Sequence, residues 1–162
     1  MKGVTHLSAG VITGAAISVC CNLSTSDTLM VLTGSAIGSL IPDIDICTSK
    51  MGRLMPPASF LIQTFIGHRT LFHAPLPYIV LLSLCWLRIP SLGLWFAAAG
   101  VGILTHLLLD MLNPSGVPLL WPSAKRFSLA TLQSGGLVDK ILSLVLSIGA
   151  ITQVLYALQH GA

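Results

Sequence analysis

Long apolar stretches with almost no charge restrict what this chain can fold into. They cover residues 7–23, 28–41, 72–87, 92–112 and 137–158. Only 8% of the chain is charged and 54% is hydrophobic, whereas an ordinary soluble domain has about 25% charged residues. These values disfavour a disordered protein, a coiled coil and a soluble enzyme. Because one crossing needs about 20 apolar residues, we expect an all-α, polytopic membrane protein with about five transmembrane helices, folded as a single domain over residues 1–162.

Two proline-containing segments interrupt this pattern. The second stretch is short for a crossing and is stopped by Pro42, which a helix interior tolerates poorly. Residues 54–66 are apolar but contain Pro56 and Pro57. We therefore predict that residues 54–66 form a re-entrant or interfacial segment instead of a sixth span.

The cations are distributed unevenly between the two sides of the predicted membrane domain. One side has only Arg88. The other side holds Lys2, Lys50, Arg53, Arg69, Lys125, Arg126 and Lys140. Cytoplasmic loops carry the excess of Lys and Arg, so this split predicts a cytoplasmic N-terminus. Cations that bind an anionic substrate would cluster in the same way. The cations form no basic run, so the expected partner is the lipid bilayer and not a nucleic acid.

Acidic and imidazole side chains occur where lipid is expected. The chain has no glutamate. An aspartate near the middle of a span costs about 2.5–3.5 kcal/mol, so such a group needs a cation, a metal or a wet cavity. In the five-span arrangement eight such residues reach the cytoplasmic side: His6, Asp43, Asp45, His68, His73, His106, Asp110 and Asp139. This convergence of His and Asp predicts a metal site.

The spacing within this set has both chemical and structural interpretations. His106 and Asp110 are four residues apart, so they share one helix face with Cβ atoms about 6 Å apart. They could hold a metal or only form a hydrogen bond that packs helices. Asp43 and Asp45 offer two carboxylates at a helix end, where aspartate is also favoured for local turn formation.

The cations near these residues suggest a phosphate partner. Arg69 lies between His68 and His73, and a guanidinium binds phosphate oxygens in a bidentate fork. The alternative for Arg69 is an ordinary topogenic cation. Lys125 and Arg126 could also bind substrate, although basic loop residues equally meet anionic lipid head groups.

Four motifs together resemble a known family. They are Thr5-His6, the Pro-Asp-Ile-Asp of residues 42–45, the His-Arg pair followed by His73, and His-x3-Asp with the loop up to Pro122. Their order resembles the YdjM group of bacterial inner-membrane proteins. The resemblance implies a multi-pass protein of the bacterial inner membrane with metal-dependent hydrolase activity.

The order of ligand types is also similar to zinc-dependent phospholipase C. That similarity implies one metal held by His6 and Asp110. It implies a neighbouring metal held by Asp43 or Asp45, His68 or His73, His106 and a bridging Asp110. The two histidines and the glutamate of a third metal have no counterpart, so the expected cofactor is one or two divalent ions, zinc or manganese. Asp139 could supply a further carboxylate or form an interfacial ion pair with Lys140.

We therefore expect a membrane-bound metal-dependent hydrolase that acts on a phosphoester or a lipid ester at the cytoplasmic interface. Arg69 would hold the phosphate, and Asp45, as the spare carboxylate of its pair, would orient or deprotonate a water molecule. The lack of glutamate excludes the HExxH metalloprotease mechanism. Two other functions remain open, a small ion or metal transporter and a non-catalytic protein with a structural metal site.

Overall fold

A computed structural model describes residues 1–65 and 70–159 of the chain. This part contains the helices α1 Gly3–Cys20, α2 Thr25–Gly38, α3 Lys50–Leu54, α4 Pro56–Phe65, α5 Pro75–Arg88, α6 Gly93–Asp110 and α7 Leu137–Gln159. Short 3-10 helices occupy Ile41–Asp45, Leu71–His73 and Pro90–Leu92. The predicted all-α architecture is confirmed.

Helix boundaries differ from the predicted spans at the positions that matter most for the site. α1 begins at Gly3 instead of residue 7, so His6 lies in its first turn. α2 ends at Gly38, and the following 3-10 helix with Pro42 carries two aspartates out of the span. α5 begins at Pro75 instead of residue 72, because the first helical position tolerates the missing N–H of proline.

Several helices have the length and composition of membrane spans. Gly3–Cys20, Pro90–Asp110 and Leu137–Gln159 are long and apolar enough to cross a bilayer, and Pro75–Arg88 is a shorter apolar helix. α2 has 14 residues. Along α7, large apolar side chains such as Leu144 and Ile151 are exposed and provide a surface for lipid. The multi-pass arrangement is confirmed, whereas the number of five spans stays a prediction.

Glycines bring α2 very close to α6. A Cβ added to Gly38 would overlap the main chain of Ala99, and one added to Gly102 would overlap the carbonyl oxygen of Ser35. Gly34 and Gly38 form the small-xxx-small spacing that lets membrane helices approach each other. α2 therefore runs parallel to α6, and the C-terminal end of α2 packs against the middle of α6.

α1 lies between α2 and α7. A Cβ on Gly10 would overlap Ser39, so α1 approaches α2 as closely as α6 does. On its other side the hydroxyl of Ser8 is 3.0 Å from the hydroxyl of Ser147 in α7. This packing brings the starts of α1 and α7 to the same end of the bundle as the C-terminal ends of α2 and α6.

The segment predicted to be re-entrant or interfacial forms α4. Its Phe60, Leu61 and Phe65 side chains are exposed. Within the described ranges α4 packs mainly against α3 and the 3-10 helix Ile41–Asp45. An apolar helix with few partners is the arrangement expected of an interfacial segment, and that assignment stays a prediction.

The connection between α6 and α7 folds back onto the end of α6. Val117 and Phe127 exchange main-chain hydrogen bonds of 2.9 Å, and the main-chain nitrogen of Leu129 donates to the carbonyl of Met111 at 2.7 Å. Gly116 turns the chain with φ of 62°, a conformation that favours glycine. The loop thereby covers the helix ends at which the predicted ligands gather.

Candidate metal centre

Six of the seven predicted metal ligands lie together at one end of the bundle. The N-terminal turn of α1 and the C-terminal turn of α6 meet the two 3-10 helices there. All six side chains are buried: His6, Asp43, Asp45, His73, His106 and Asp110. The seventh, His68, lies outside the described residues, as does Arg69.

Asp110 is the central carboxylate of this cluster. Its Oδ1 is 3.3 Å from Nε2 of His6, and its Oδ2 is 3.5 Å from Nε2 of His73. Oδ2 also lies 3.9 Å from Nε2 of His106, one helical turn earlier on α6. Oδ1 further contacts the amino nitrogen of Met1 at 2.8 Å. The two oxygens of one carboxylate therefore face two different histidines.

Two groups of three donors result from this arrangement. One group is His6, His106 and Asp110, and the other is Asp43, His73 and His106. Within each group the candidate ligand atoms lie within 4.8 Å of one another. Imidazole and carboxylate donors suit zinc and manganese, so either group could hold a metal ion.

The histidine at the centre is fixed in one orientation. Nδ1 of His106 lies 2.7 Å from the carbonyl oxygen of Ser39. Because a carbonyl only accepts, Nδ1 carries the proton and Nε2 keeps a lone pair directed into the cluster. The His6 ring stacks on the His106 ring with centroids 3.7 Å apart and an interplanar angle of 17°. This stacking sets the ring of His6 parallel to a fixed neighbour.

The hydrogen bonding of two histidines leaves ligand atoms available for a metal ion. Within residues 1–65 and 70–159, Nε2 of His6 and Nε2 of His106 are buried and lack a hydrogen bond of acceptable geometry. A buried polar atom without a partner costs about 1–3 kcal/mol. A divalent cation would satisfy both lone pairs, so these residues fit a metal.

Asp45 lies behind His73 and not among the two donor groups. Its Oδ2 is 3.2 Å from Nδ1 of His73, and its side chain is fully buried. A carboxylate at the second nitrogen of a metal-ligating histidine typically fixes the ring and raises its basicity. The role of Asp45 as ligand or base stays a prediction.

Two of these groups outside the spanning helices have shifted pKa values. Burial raises the pKa of the Asp43 carboxyl, although the nearby charge of His6 opposes the shift. Burial lowers the pKa of His73, but contacts with the carboxylates of Asp110 and Asp45 outweigh it and raise that pKa above its ordinary value. Both groups hold a proton more readily than usual, so metal binding at these residues competes with protonation.

Supporting residues were not recognised from the sequence as part of the site. The Asn113 amide donates to Oδ1 of Asp110 at 3.0 Å and accepts from the Ser134 hydroxyl at 3.2 Å. Asn113 begins the loop motif that follows His-x3-Asp, but that motif alone gives its side chain no role.

Asp139 is buried beside the cluster and contributes to neither donor group. It accepts hydrogen bonds from the Thr5 hydroxyl and from the main-chain nitrogens of Lys2 and Gly135. The interpretation of Asp139 as an interfacial partner of Lys140 missed these bonds, which depend on how α7 packs against α1.

The predicted substrate-binding cations of the α6–α7 loop are exposed. Nζ of Lys125 lies 5.4 Å from the ring centroid of Phe127, and Nη1 of Arg126 lies 3.5 Å from the carbonyl oxygen of Ser115. No hydrogen bond or ion pair joins either cation to the His/Asp cluster in the part of the chain that the structure describes.

Comparison with known proteins identifies relatives over nearly the whole chain. A model of the YdjM inner membrane protein family matches residues 1–160. Inner membrane protein YdjM of Escherichia coli (strain K12) is 34% identical over 137 residues, which cover 80% of this chain and 69% of the relative. Uncharacterized protein YvsG of Bacillus subtilis (strain 168) is 30% identical over 161 residues, covering 99% of this chain and 98% of the relative. No solved structure matches significantly.

Proposed function

The chain belongs to the YdjM family of inner membrane proteins, and we propose that it is a metal-dependent hydrolase of that membrane. The main support for this proposal is the Asp110 carboxylate, because one of its oxygens faces His6 and the other faces His73. The substrate is a phosphoester or a lipid ester at the cytoplasmic interface. The similarity to zinc-dependent phospholipase C stays a prediction.

The two donor groups provide ligands for up to two divalent ions. His6, His106 and Asp110 would hold one ion, and Asp43 with His73 would hold a neighbouring ion. Asp110 would supply an oxygen to each ion, because Oδ1 lies toward His6 and Oδ2 toward His73. His106 would bind one ion only, through Nε2, because its Nδ1 is hydrogen-bonded to the carbonyl oxygen of Ser39. Zinc or manganese suits this set of nitrogen and oxygen donors.

A bound divalent ion supplies Lewis acidity, which lowers the pKa of a coordinated water and stabilises negative charge that develops on an ester oxygen. The protein's own residues arrange this chemistry. Asp45 orients His73 through Nδ1, and Ser39 orients His106 through its carbonyl oxygen. Asp43 keeps 12% of its side chain exposed, so water can reach the cluster at this candidate ligand. Arg69 is proposed to hold the phosphate.

The position of the cluster favours a hydrolase over a transporter. An ion pathway needs polar groups along the membrane-spanning part of the bundle. In the described residues, the His/Asp cluster is confined to one end, where the ends of α1 and α6 meet. A substrate at the membrane surface can reach such a site without crossing the bilayer.

The test begins with metal content. Protein purified in detergent is analysed by mass spectrometry beside the double variant His106→Ala, Asp110→Asn. Asp27→Asn is the matched control, because Asp27 lies at the start of α2, at the opposite end of that helix from the cluster. We expect one or two zinc or manganese ions per chain in the wild type and in the control, and loss of metal in the double variant.

Activity is then measured on phosphoesters and phospholipids with the metal-loaded protein. Hydrolysis that the double variant lacks, and that a chelator abolishes, supports the proposal. A metal-loaded protein that hydrolyses none of these esters but moves metal across a vesicle membrane would assign it to transport. Tightly held metal with neither activity would indicate a structural site.

A further inference from the structure

A cavity opens beside the metal centre on the side of Asp43. Its volume is about 370 Å³, and its walls include Lys2, Gly3, Asp43, Ser49 and Lys50. This volume is within the range of small-molecule sites. Among the candidate ligands of the two donor groups, Asp43 alone lines the cavity. The cavity therefore reaches the cluster at Asp43.

Two of the side chains that line this cavity are positively charged. Lys2 and Lys50 are both exposed, and Asp43 is the one carboxylate among the described residues that line the cavity. A metal held by Asp43 would balance that negative charge. The remaining charge on the walls would then come from the two lysines and from the amino group of Met1, which is paired with Asp110, and this favours an anion.

Local structure ties Lys50 to the metal centre. The hydroxyl of Ser49 donates to the carbonyl oxygen of Asp43 at 2.6 Å and accepts from the main-chain nitrogen of Gly52 at 2.8 Å. Lys50 follows Ser49 directly, and its stem extends over α1, so that a Cβ built on Gly3 would lie 3.8 Å from Cδ of Lys50. The position of Lys50 is thereby coupled to that of a candidate ligand.

Lys2 lines the same cavity from the start of α1, where hydrogen bonds hold its main chain. Its main-chain nitrogen donates to Oδ2 of Asp139 at 3.1 Å, so the backbone at Lys2 is fixed while its ammonium group is exposed. The two lysines thus approach one cavity from separate elements, the start of α1 and the start of α3.

We propose that this cavity binds the phosphate group of the substrate, and that Lys2 and Lys50 bind this phosphate in addition to the Arg69 proposed above. The inference rests on the proposed hydrolase function and narrows its substrates from esters in general to phosphoesters. An ammonium group binds phosphate as a point charge through several donors. A neutral carboxylic ester would gain nothing from the two lysines.

Binding of inorganic phosphate tests this proposal without catalysis. Metal-loaded protein in phosphatidylcholine nanodiscs is titrated with phosphate by calorimetry, beside the variant Lys2→Gln, Lys50→Gln. We expect the variant to bind phosphate at least about tenfold more weakly, because it loses charge-assisted hydrogen bonds, while its metal content stays unchanged. The double variant Lys125→Gln, Arg126→Gln is the control and should bind phosphate as the wild type does.

The outcomes separate this inference from the proposed function. Equal phosphate affinity in the wild type and in Lys2→Gln, Lys50→Gln would overturn the inference even if the protein hydrolyses esters. Lysine-dependent phosphate binding without any hydrolysis would support the inference while the proposed function fails. Loss of phosphate binding only in Lys125→Gln, Arg126→Gln would place the phosphate on the α6–α7 loop and would also overturn the inference.

Competition identifies the source of the phosphate group. Glycerol 1-phosphate is added in solution in one arm, and phosphatidic acid is included in the nanodisc in the other. Weaker apparent phosphate affinity in the first arm supports a soluble phosphoester, and in the second arm a lipid head group. If neither compound competes with phosphate, the cavity does not bind phosphoesters and the inference is overturned.

Discussion

The hydroxyl of Thr5 donates a hydrogen bond of 2.7 Å to Oδ1 of Asp139, and this bond joins the first turns of α1 and α7 across 134 positions of the chain. Both side chains are fully buried. Because His6 follows Thr5 directly, the bond fixes the rotation of α1 about its axis. The imidazole of His6 is thereby held against the cluster by a residue that is not a candidate ligand.

Replacing Thr5 therefore weakens metal binding without removing a ligand. Thr5→Val keeps the branched shape but loses the hydroxyl, and we expect about tenfold lower metal affinity. Affinity is measured by competition with a chelator of known strength. Thr33→Val is the control, because the exposed Thr33 hydroxyl bonds only carbonyls of its own helix among the described residues. Equal affinities in the two variants would contradict the role given to Thr5.

The two donor groups predict a metal stoichiometry. We expect two ions per chain in the wild type and one ion in either His6→Ala or His73→Ala, since each variant disrupts one group and leaves a ligand set for the other. Asp110→Asn affects both positions and should lose the most metal. Mass spectrometry of the purified proteins gives the counts. A wild type with one ion, lost completely in both histidine variants, would show that the groups share a single ion.

The sequence could predict the ligands because their cost in lipid is so high. His106 and Asp110 lie within a strongly apolar stretch, where an unsatisfied carboxylate is expensive. Successive spans cross the membrane in opposite directions, which places His106 and Asp110 at the same end as His6 and Asp43. The structure brings these residues together.

Other parts of the site depend on tertiary contacts that no local pattern encodes. Asp139 has Lys140 as its sequence neighbour, yet its partner is Thr5 because α7 packs on α1. Lys125 and Arg126 formed the more obvious basic pair, whereas the cavity beside Asp43 is lined by Lys2 and Lys50. These two lysines are 48 positions apart in the sequence, so only the approach of α1 to α3 brings them together.

The close contact between α2 and α6 predicts different tolerance at two neighbouring glycines. A Cβ on Gly102 would overlap the main-chain carbonyl of Ser35, which cannot move without displacing α2. A Cβ on Gly100 would lie 3.2 Å from Cδ1 of Leu82, the end of a flexible side chain. We expect Gly102→Ala to lose about 1–3 kcal/mol of stability and Gly100→Ala to lose clearly less.

Thermal unfolding in detergent measures this difference. Because Ser35 lies four residues before Ser39, which orients His106, Gly102→Ala should also lower metal affinity. If Gly100→Ala is the less stable variant, the α2–α6 interface does not have the described geometry.

Asp43 and Asp45 are two residues apart but should respond differently to loss of charge. Asp43 belongs to a donor group, whereas Asp45 contacts Nδ1 of His73 from behind. We expect Asp43→Asn to lose one ion per chain. Asp45→Asn should keep the full metal count and bind about 10–100-fold more weakly, as is typical when a carboxylate partner of a ligating histidine is removed.

Metal counts and chelator competition on the two variants decide between these roles. An Asp45→Asn protein that loses an ion outright would make Asp45 a ligand, as the sequence alone allows. An Asp45→Asn protein with full metal content and unchanged affinity would show that Asp45 does not orient His73. Full content with reduced affinity is the result that fits a carboxylate acting through the imidazole, because the ligand atom remains while its orientation and basicity change.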